Sequence, residues 1–354
     1  MRAIAPRTLA LLLVVSSFAV RPAHATEPFA KVGPTYGGWW LQLPVGIRNI
    51  GMGATGTADV SGFATGYFNP ASVAWSDATS LTGTYENFDE SVLGLNLSDF
   101  QVTSPFPFHA DSTTGAWSFA GALAYTRQGM DSQSQRTIFL PEGTARMIDL
   151  DDWMLTALAS SRWDHGVLSL AGGASAKYLV QAMAGNDNDI WMLDLGVIAA
   201  FPLPVRGGLI RPRVGYAALN LDNGGSFGDV EIKVANEQRV GLGIDLATPR
   251  VSVFGRPVPG VSLSTDYDAI DREHGAFQAV PQYSVGVEFS VVNMIHLRYG
   301  LLDHDYINSG VGIGWDYGRA LFRLDYAHTD PDDQHPTNIS LERDTFGALV
   351  GVRW

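Results

Sequence analysis

The sequence contains no cysteine among its 354 residues. Without thiols the chain can form neither disulfides nor a thiolate metal site, and a lipoprotein anchored through cysteine is excluded. Basic residues are also few, because 23 Lys and Arg stand against 36 Asp and Glu. The resulting formal charge of −13 argues against a nucleic acid partner, since such proteins present a basic patch.

Apolar runs long enough for a membrane helix are lacking as well. The apolar stretch 9–20 has twelve residues, whereas a spanning helix needs about 20. Two arginines precede this stretch and the small-x-small triplet Ala23-His24-Ala25 follows it, which is the layout of a secretory signal peptide. We therefore predict a signal peptide over residues 1–25 and export of the remainder.

What the sequence does contain is apolar residues at every second position. In 309–318, Val311, Ile313 and Trp315 alternate with glycine and aspartate, as on a strand with one apolar face. About fourteen such segments occur, and a tilted strand of roughly ten residues spans an apolar band of about 25 Å. We predict an all-β fold, a transmembrane antiparallel up-and-down β-barrel of about 14 strands, over residues 77–354.

The links between these segments alternate in length. Short periplasmic turns and longer outer loops give a membrane barrel this rhythm, which places residue 354 on the periplasmic side. The predicted short links are 163–166, 201–208, 290–293 and 316–319. The predicted long polar links lie near 128–146, 181–190, 221–236, 269–279, 302–309 and 328–343.

A soluble β-sandwich would show the same alternation, with its apolar faces packed into a core. Two features favour the barrel. The non-apolar faces carry mainly Gly, Ala and single charges rather than long solvated side chains. The apolar faces place aromatic residues near segment ends, as in the interfacial girdle of a membrane barrel: Trp117, Trp153, Trp191, Tyr299, Trp315, Tyr317 and Trp354.

Charged residues of both signs recur on the faces assigned to the lumen. They can form a paired network that fills a narrow interior, or they can line a polar path. The pairing of buried charges in proteins favours the network. The predicted lumen charges are Asp194, Arg211, Arg213, Arg239, Asp245, Asp266, Glu288, Arg298, Asp316, Arg323 and Asp325.

A glycine-rich block over 46–71 precedes the first strand. Its elements are Gly46-x-Arg48, Gly51-Met52-Gly53 and Phe68-Asn69-Pro70-Ala71. In these residues and their spacing the block resembles the opening of the PorV/PorQ family, which belongs with the FadL-type transporters of hydrophobic compounds. Ser72 departs from the glycine that the family has after Asn-Pro-Ala.

The resemblance implies a plug or hatch over residues 26–76, folded inside the barrel wall. Its gate residues would be Gly46, Arg48, Gly51, Met52, Gly53, Asn69, Pro70 and Ala71. The alternative is a packing corner without ligand contact, because glycine and Asn-Pro are first of all devices for turning the backbone.

Two functions follow from the resemblance. The first is passage or binding of hydrophobic small molecules. The second is a barrel that does not transport but serves as an accessory in protein secretion or surface attachment, with secretion proteins as partners. A secreted soluble β protein stays open as a third hypothesis.

The last predicted strand carries Phe346, Val350, Val352 and Trp354 on one apolar face. We interpret this face as the signal for the barrel-assembly machinery, which together with outer-membrane lipid completes the predicted partners. The predicted location is the outer membrane of a Gram-negative-type bacterium.

No catalytic motif accompanies these features. The sequence has no G-x-S-x-G, and GMGATG at 51–56 lacks the βαβ context that a dinucleotide site requires. The acidic stretches 303–305 and 330–335 match no calcium or zinc pattern and are expected to be solvated loops. We predict no enzymatic activity, no cofactor and no metal.

Overall fold

The computed structural model describes residues 39–61, 66–88, 95–112, 115–130, 137–139, 145–147, 151–183, 186–221, 224–227, 230–253, 255–272, 282–303, 306–331 and 342–353. The predicted signal peptide 1–25, residues 26–38 of the predicted plug, and Trp354 lie outside these residues.

Fourteen strands form the wall of the molecule, numbered here β1 to β14. They are β1 Thr79–Phe88, β2 Leu95–Ser112, β3 Gly115–Met130, β4 Asp151–His165, β5 Leu168–Met183, β6 Asn186–Ala200, β7 Gly208–Leu221, β8 Glu237–Ala247, β9 Val261–Arg272, β10 Gln282–Val291, β11 Ile295–Leu302, β12 Tyr306–Tyr317, β13 Ala320–Pro331 and β14 Arg343–Val352.

The wall is a closed antiparallel ring. Each strand pairs with its neighbours in sequence, and β14 closes the ring by pairing with β1 from Thr79↔Val352 to Phe88↔Arg343. A fifteenth strand of the same sheet, Leu203–Val205, adds only three residues beside the start of β7. The prediction of a 14-stranded up-and-down barrel is thereby confirmed.

The two faces of each strand have opposite chemistry. On β11, Ile295, Leu297 and Tyr299 are about half exposed, whereas His296 and Arg298 are buried. Among the described residues, 35 large hydrophobic side chains of the fourteen strands are exposed in this way. Because the ring is single and closed, these apolar side chains face outward, as lipid requires, and the described residues form no second large sheet for them to pack against as in a sandwich.

The two ends of the barrel differ in their connections. The links 89–94, 131–150, 222–236, 273–281 and 332–342 all join strands at one end, called the loop end here. Most links at the opposite end have two to seven residues. Two predicted long links at the loop end are wrong: 181–190 belongs largely to β5 and β6, and 302–309 largely to β11 and β12, because these polar residues continue the strands.

One link at the opposite end, residues 248–260, is longer than the others. Between β8 and β9, Arg250–Val253 and Arg256–Pro259 form a separate hairpin. Gly260 N–H donates to the carbonyl of Pro249 and Val292 N–H to that of Gly260. The hairpin therefore extends this end of the wall beyond β8 and β9.

Helices are few and short. The described part of the chain has no helix that is long and apolar enough to cross a membrane. The 3-10 turns Trp39–Gln42 and Pro70–Trp75 and the helix Ile47–Gly51, called α1, all lie before β1. Residues 39–61 and 66–78, called the lumen segment here, are largely buried and contact the inward faces of the strands.

Candidate functional site

The lumen segment touches the wall through a belt of glycines. At each belt position an added Cβ would lie within 3 Å of an atom of the lumen segment. Such contacts leave no room for any larger side chain, so the belt lets the backbone of the segment lie directly on the strands. The belt consists of Gly173 on β5, Gly196 on β6, Gly215 on β7, Gly241 on β8, Gly286 on β10 and Gly300 on β11.

Gly46 makes a bend that a side chain would strain. Gly46 lies directly before α1 and has a φ of 97°. The N–H of Ile50 donates to the carbonyl of Gly46 at 3.0 Å. Gly53 also has a positive φ, and a Cβ there would lie 2.6 Å from the backbone nitrogen of Leu301. Gly46 and Gly53 of the predicted gate motif thus fix the backbone path of the lumen segment.

Arg48 joins the lumen segment to the wall. Its Nη1 lies 2.9 Å from Asp59 Oδ2 within the segment, and its Nε lies 3.1 Å from Glu288 Oε1 on β10. Burial disfavours the charge on Arg48, but the carboxylates of Asp59 and Glu288 outweigh burial and hold its pKa above the ordinary value. Arg48 therefore acts as a charged anchor.

The ion pairs continue along the wall from Glu288. Arg298 Nε lies 2.6 Å from Glu288 Oε2, and Arg298 Nη1 lies 2.8 Å from Asp325 Oδ1 on β13. Arg323 Nε lies 2.8 Å from Asp325 Oδ2. One network thus runs over β10, β11 and β13, and the lumen segment contributes its cation Arg48.

A second group of charges holds the other side of the lumen segment. Arg213 Nη1 lies 3.0 Å from Asp266 Oδ1 and donates to the Ala58 carbonyl at 2.7 Å. Asp245 lies 2.7 Å from both Arg213 and Arg211. Arg213 thus binds carboxylates of the wall and a carbonyl of the segment at once, so β7, β8 and β9 are tied to the segment.

Arg239 makes the same two kinds of contact as Arg213. It pairs with Asp268 on β9 at 3.2 Å and donates to the Ala54 carbonyl at 2.9 Å. Its guanidinium also lies 4.5 Å from the ring centroid of Phe68, in cation–π geometry.

The remaining predicted lumen charges are paired too. Asp194 lies 2.8 Å from Lys177, and Asp316 binds Arg353 near the end opposite the loops. All eleven predicted positions thus form an ion pair with a residue of opposite charge, which favours the packed network over an open polar path.

Asn69 positions the second half of the motif. Its Oδ1 accepts from Ala71 N–H at 3.0 Å and caps the turn Pro70–Trp75. Its Nδ2 lies within 3.2 Å of the carbonyl oxygens of Thr57, Val197 and Tyr216, which belong to the segment, β6 and β7. Met52, Pro70 and Ala71 pack against the glycine belt or beside it.

At the loop end the lumen changes character and becomes apolar. Six large hydrophobic side chains of the wall point inward there, and each is at most 2% exposed. We call them the apolar cup: Phe88 on β1, Leu97 on β2, Met154 on β4, Leu179 on β5, and Ile190 and Met192 on β6. The cup was not predicted from the sequence. The unbroken apolar run Ile190–Leu193 was a signal for it, because such a run indicates a strand, here β6, that is apolar on both faces.

The first residues of the lumen segment fill this cup. Trp40, Leu41, Leu43 and Val45, called the cap here, pack against its side chains. Trp40 is completely buried, and its Nε1 donates to Asp152 Oδ2 at 3.0 Å. The cap joins the anchored part of the segment at the Gly46 bend.

Polar side chains lie beside the cup, on the same strands but nearer the loops. Asp152 on β4 is 3% exposed, faces Gln128 on β3 in the ladder, and accepts from Gln181 Nε2 on β5 at 3.1 Å. Neither the Nε2 nor the Oε1 of Gln128 has a hydrogen-bond partner within the described residues, and the same holds for Gln181 Oε1. We call these three side chains the polar rim.

A small cavity continues from the cup toward the opposite end. Val45 and Met154 border both, and the remaining lining combines neutral residues such as Gln101, Ala122 and Thr126 with the ionisable side chains Asp99, Lys177 and Asp194. Its volume of about 20 Å³ has room for a single water molecule. An organic ligand would fit only after side chains of the cap or the segment shift.

No family model matches the chain, and no curated protein does. Among solved structures, the chain is similar to the Ralstonia pickettii toluene transporter TbuX, with 12% identity and a TM-score of 0.49 over 88% of this chain and 98% of that one. It is also similar to a Pseudomonas aeruginosa FadL homologue, with 9% identity and a TM-score of 0.46 over 91% and 99% of the two chains.

A third similar structure is the beta domain of the Bordetella autotransporter BrkA, with 12% identity and a TM-score of 0.44 over 78% of this chain and all of that one. The assignment to the outer-membrane type of barrel does not rest on these TM-scores. It rests on the closed ring of strands and on its exposed apolar face.

Proposed function

We propose that this chain binds hydrophobic small molecules in the apolar cup at its loop end, as the first step of their passage through the barrel. The apolar cup carries the proposal. A lumen filled by ion pairs needs no such cluster of Phe, Met, Leu and Ile for its own stability, because the glycine belt and the charges already hold the lumen segment.

The cap is the element that a ligand would replace. Trp40 and its apolar neighbours cover the cup, while α1 and the residues after it are tied to the wall by Arg48, Arg213 and Arg239. The cap can move about the Gly46 bend while these anchors stay in place. The gate residues predicted from the motif would then be the fixed side of the gate, and the cap its movable side.

The resemblance of residues 46–71 to the PorV/PorQ family, and through it to FadL-type transporters, supports the same function. The small cavity below Val45 and Met154 supports a path from the cup along the wall of β2 to β4. Passage along it requires the cap and the residues around the cavity to shift.

The test is equilibrium binding of naphthalene and of indole to the full chain in detergent micelles, corrected for partition into empty micelles. Wild type should bind at least one of them, and Trp40→Ala should bind it about tenfold or more tightly, because the ligand no longer competes with the Trp40 ring. Trp75→Ala is the matched control, since Trp75 belongs to the lumen segment but packs away from the cup.

Binding of neither probe to wild type would overturn the proposal. So would equal affinities for wild type and Trp40→Ala, because the cup would then not be the site. Passage is measured separately, as indole uptake by outer-membrane vesicles with and without the protein.

A further inference from the structure

We infer that the ligand of the apolar cup is an aromatic molecule that carries an N–H or O–H donor, such as an indole or a phenol, and that Asp152 selects it. This ligand class depends on the proposed function, namely that the cup binds a small molecule in place of the cap.

The cup already holds an indole in this structure. Trp40 is completely buried in one packed cluster with the apolar side chains of the cup, and its Nε1 donates to the carboxylate of Asp152 at 3.0 Å. Both side chains are at least 97% buried. The site is thus shaped for a planar aromatic group with one donor at its edge.

Departure of Trp40 removes a donor from Asp152 Oδ2. Gln181 Nε2 stays within 3.1 Å, but a buried carboxylate that loses a hydrogen bond pays a large desolvation cost unless another donor replaces the lost one. A ligand with an N–H or O–H at the same place restores that bond, whereas a hydrocarbon fills the apolar space without replacing the bond that Trp40 Nε1 makes to Asp152.

The rest of the polar rim favours the same ligands. Gln128 is 2% exposed, and both ends of its amide lack a hydrogen-bond partner within the part of the chain described. Gln181 Oε1 likewise lacks one. Two acceptors and one donor are therefore available beside Asp152 for the polar edge of a phenol or an indole.

A ligand that ends in a carboxylate fits the rim poorly. Its charge would lie beside the carboxylate of Asp152 in a buried site, where like charges repel strongly. Long-chain fatty acids are accordingly expected to bind the cup less well than neutral aromatic donors do.

The test compares indole with 1-methylindole, which has the same ring but no N–H. A site built to bond an N–H discriminates against the analogue that lacks it. We expect indole to bind both wild type and Trp40→Ala about tenfold or more tightly than 1-methylindole, as the loss of a hydrogen bond to a charged group implies. Isothermal titration calorimetry of the full chain in micelles measures both affinities.

Asp152→Leu, made in the Trp40→Ala protein, removes the acceptor and should bring the ratio of the two affinities below about threefold. Asp189→Leu is the control, because Asp189 lies on the exposed side of β6. Heat-modifiable migration on a gel checks that each variant keeps its barrel.

Equal affinities for indole and 1-methylindole overturn the ligand class while leaving the binding function in place. A preference for indole that persists in the folded Asp152→Leu variant overturns the role of Asp152. If naphthalene binds but neither indole nor 1-methylindole does, the ligand class is overturned, whereas binding of none of the three overturns the proposed function itself. Tighter binding of a fatty acid such as laurate than of indole also contradicts the ligand class.

Discussion

Arg48 Nε lies 3.1 Å from Glu288 Oε1, so a residue placed before the first strand is bonded to the tenth strand of the wall. Both side chains are at least 90% buried, and Arg48 also pairs with Asp59. The pair is therefore one of the contacts that fix the lumen segment inside the barrel.

Removal of the Arg48 charge should destabilise the folded barrel. In Arg48→Met the carboxylate of Asp59 loses its cation in a buried site, which costs about 3–5 kcal/mol in the free energy of unfolding. Guanidinium titration in micelles measures it. Arg127→Met is the control, because the Arg127–Asp151 pair is about half exposed and its loss should cost at most about 1 kcal/mol. Equal losses for the two variants would show that Arg48 is no anchor.

The glycine belt predicts opposite results at two adjacent residues. A Cβ at Gly173 would lie 2.5 Å from the backbone carbon of Pro70, whereas a Cβ at Gly172 would meet nothing within 4 Å. Gly173→Ala should lower the free energy of unfolding by about 1–3 kcal/mol, as overpacking does. Gly172→Ala should leave it unchanged or slightly raised. Guanidinium titration in micelles measures both variants. If Gly173→Ala leaves the free energy of unfolding unchanged, the lumen segment does not touch β5.

Asn69 can be tested with an isosteric change. If its only role were to cap Pro70–Trp75, Asn69→Asp would be harmless, because aspartate also accepts from Ala71 N–H. The donors to the Val197 and Tyr216 carbonyls are lost in Asp, and a buried charge takes their place. We therefore expect Asn69→Asp to lower the free energy of unfolding at least as much as Asn69→Ala, by about 1–3 kcal/mol.

The outward face of the wall predicts a depth-dependent cost of charge. Ile313, near the middle of β12, is 60% exposed. Ile313→Arg should cost about 2–4 kcal/mol, because its charge would face hydrocarbon. Tyr317→Arg, at the end of the same strand, should cost at most about 1 kcal/mol. Unfolding of both variants in lipid vesicles checks this, and the same cost at both positions would contradict a lipid-facing wall.

The alternation of side chains predicted the strands and the inward position of the charges. It could do so because a strand has only two faces and the face toward hydrocarbon accepts only apolar residues. Ile313 and Arg298 could be assigned from their neighbours alone. Their partners could not, since Arg48 meets Glu288 across 240 positions of sequence. The alternation of residues predicts which face of a strand a side chain lies on. It does not predict which residue of a distant segment that side chain contacts.

The cup and the extended strand ends escaped the same reasoning for a physical reason. Near the loop end both faces of β6 are apolar, so Ile190 and Met192 break the pattern by which an inward residue is recognised. Residues 186–189 are polar and suggest a loop, yet they pair with β5, because hydrogen bonding between strands does not depend on contact with lipid.

The seam between β1 and β14 has a consequence for how such a wall is made. Its ten residue pairs and the buried Glu86–Arg343 bridge join positions that are translated more than 250 residues apart. The outer edges of β1 and β14 cannot pair until β14 has been synthesised, so every shorter precursor carries two unpaired strand edges. A polypeptide truncated before residue 343 would keep an unpaired edge on its first and on its last strand. It should be degraded rather than inserted into the membrane.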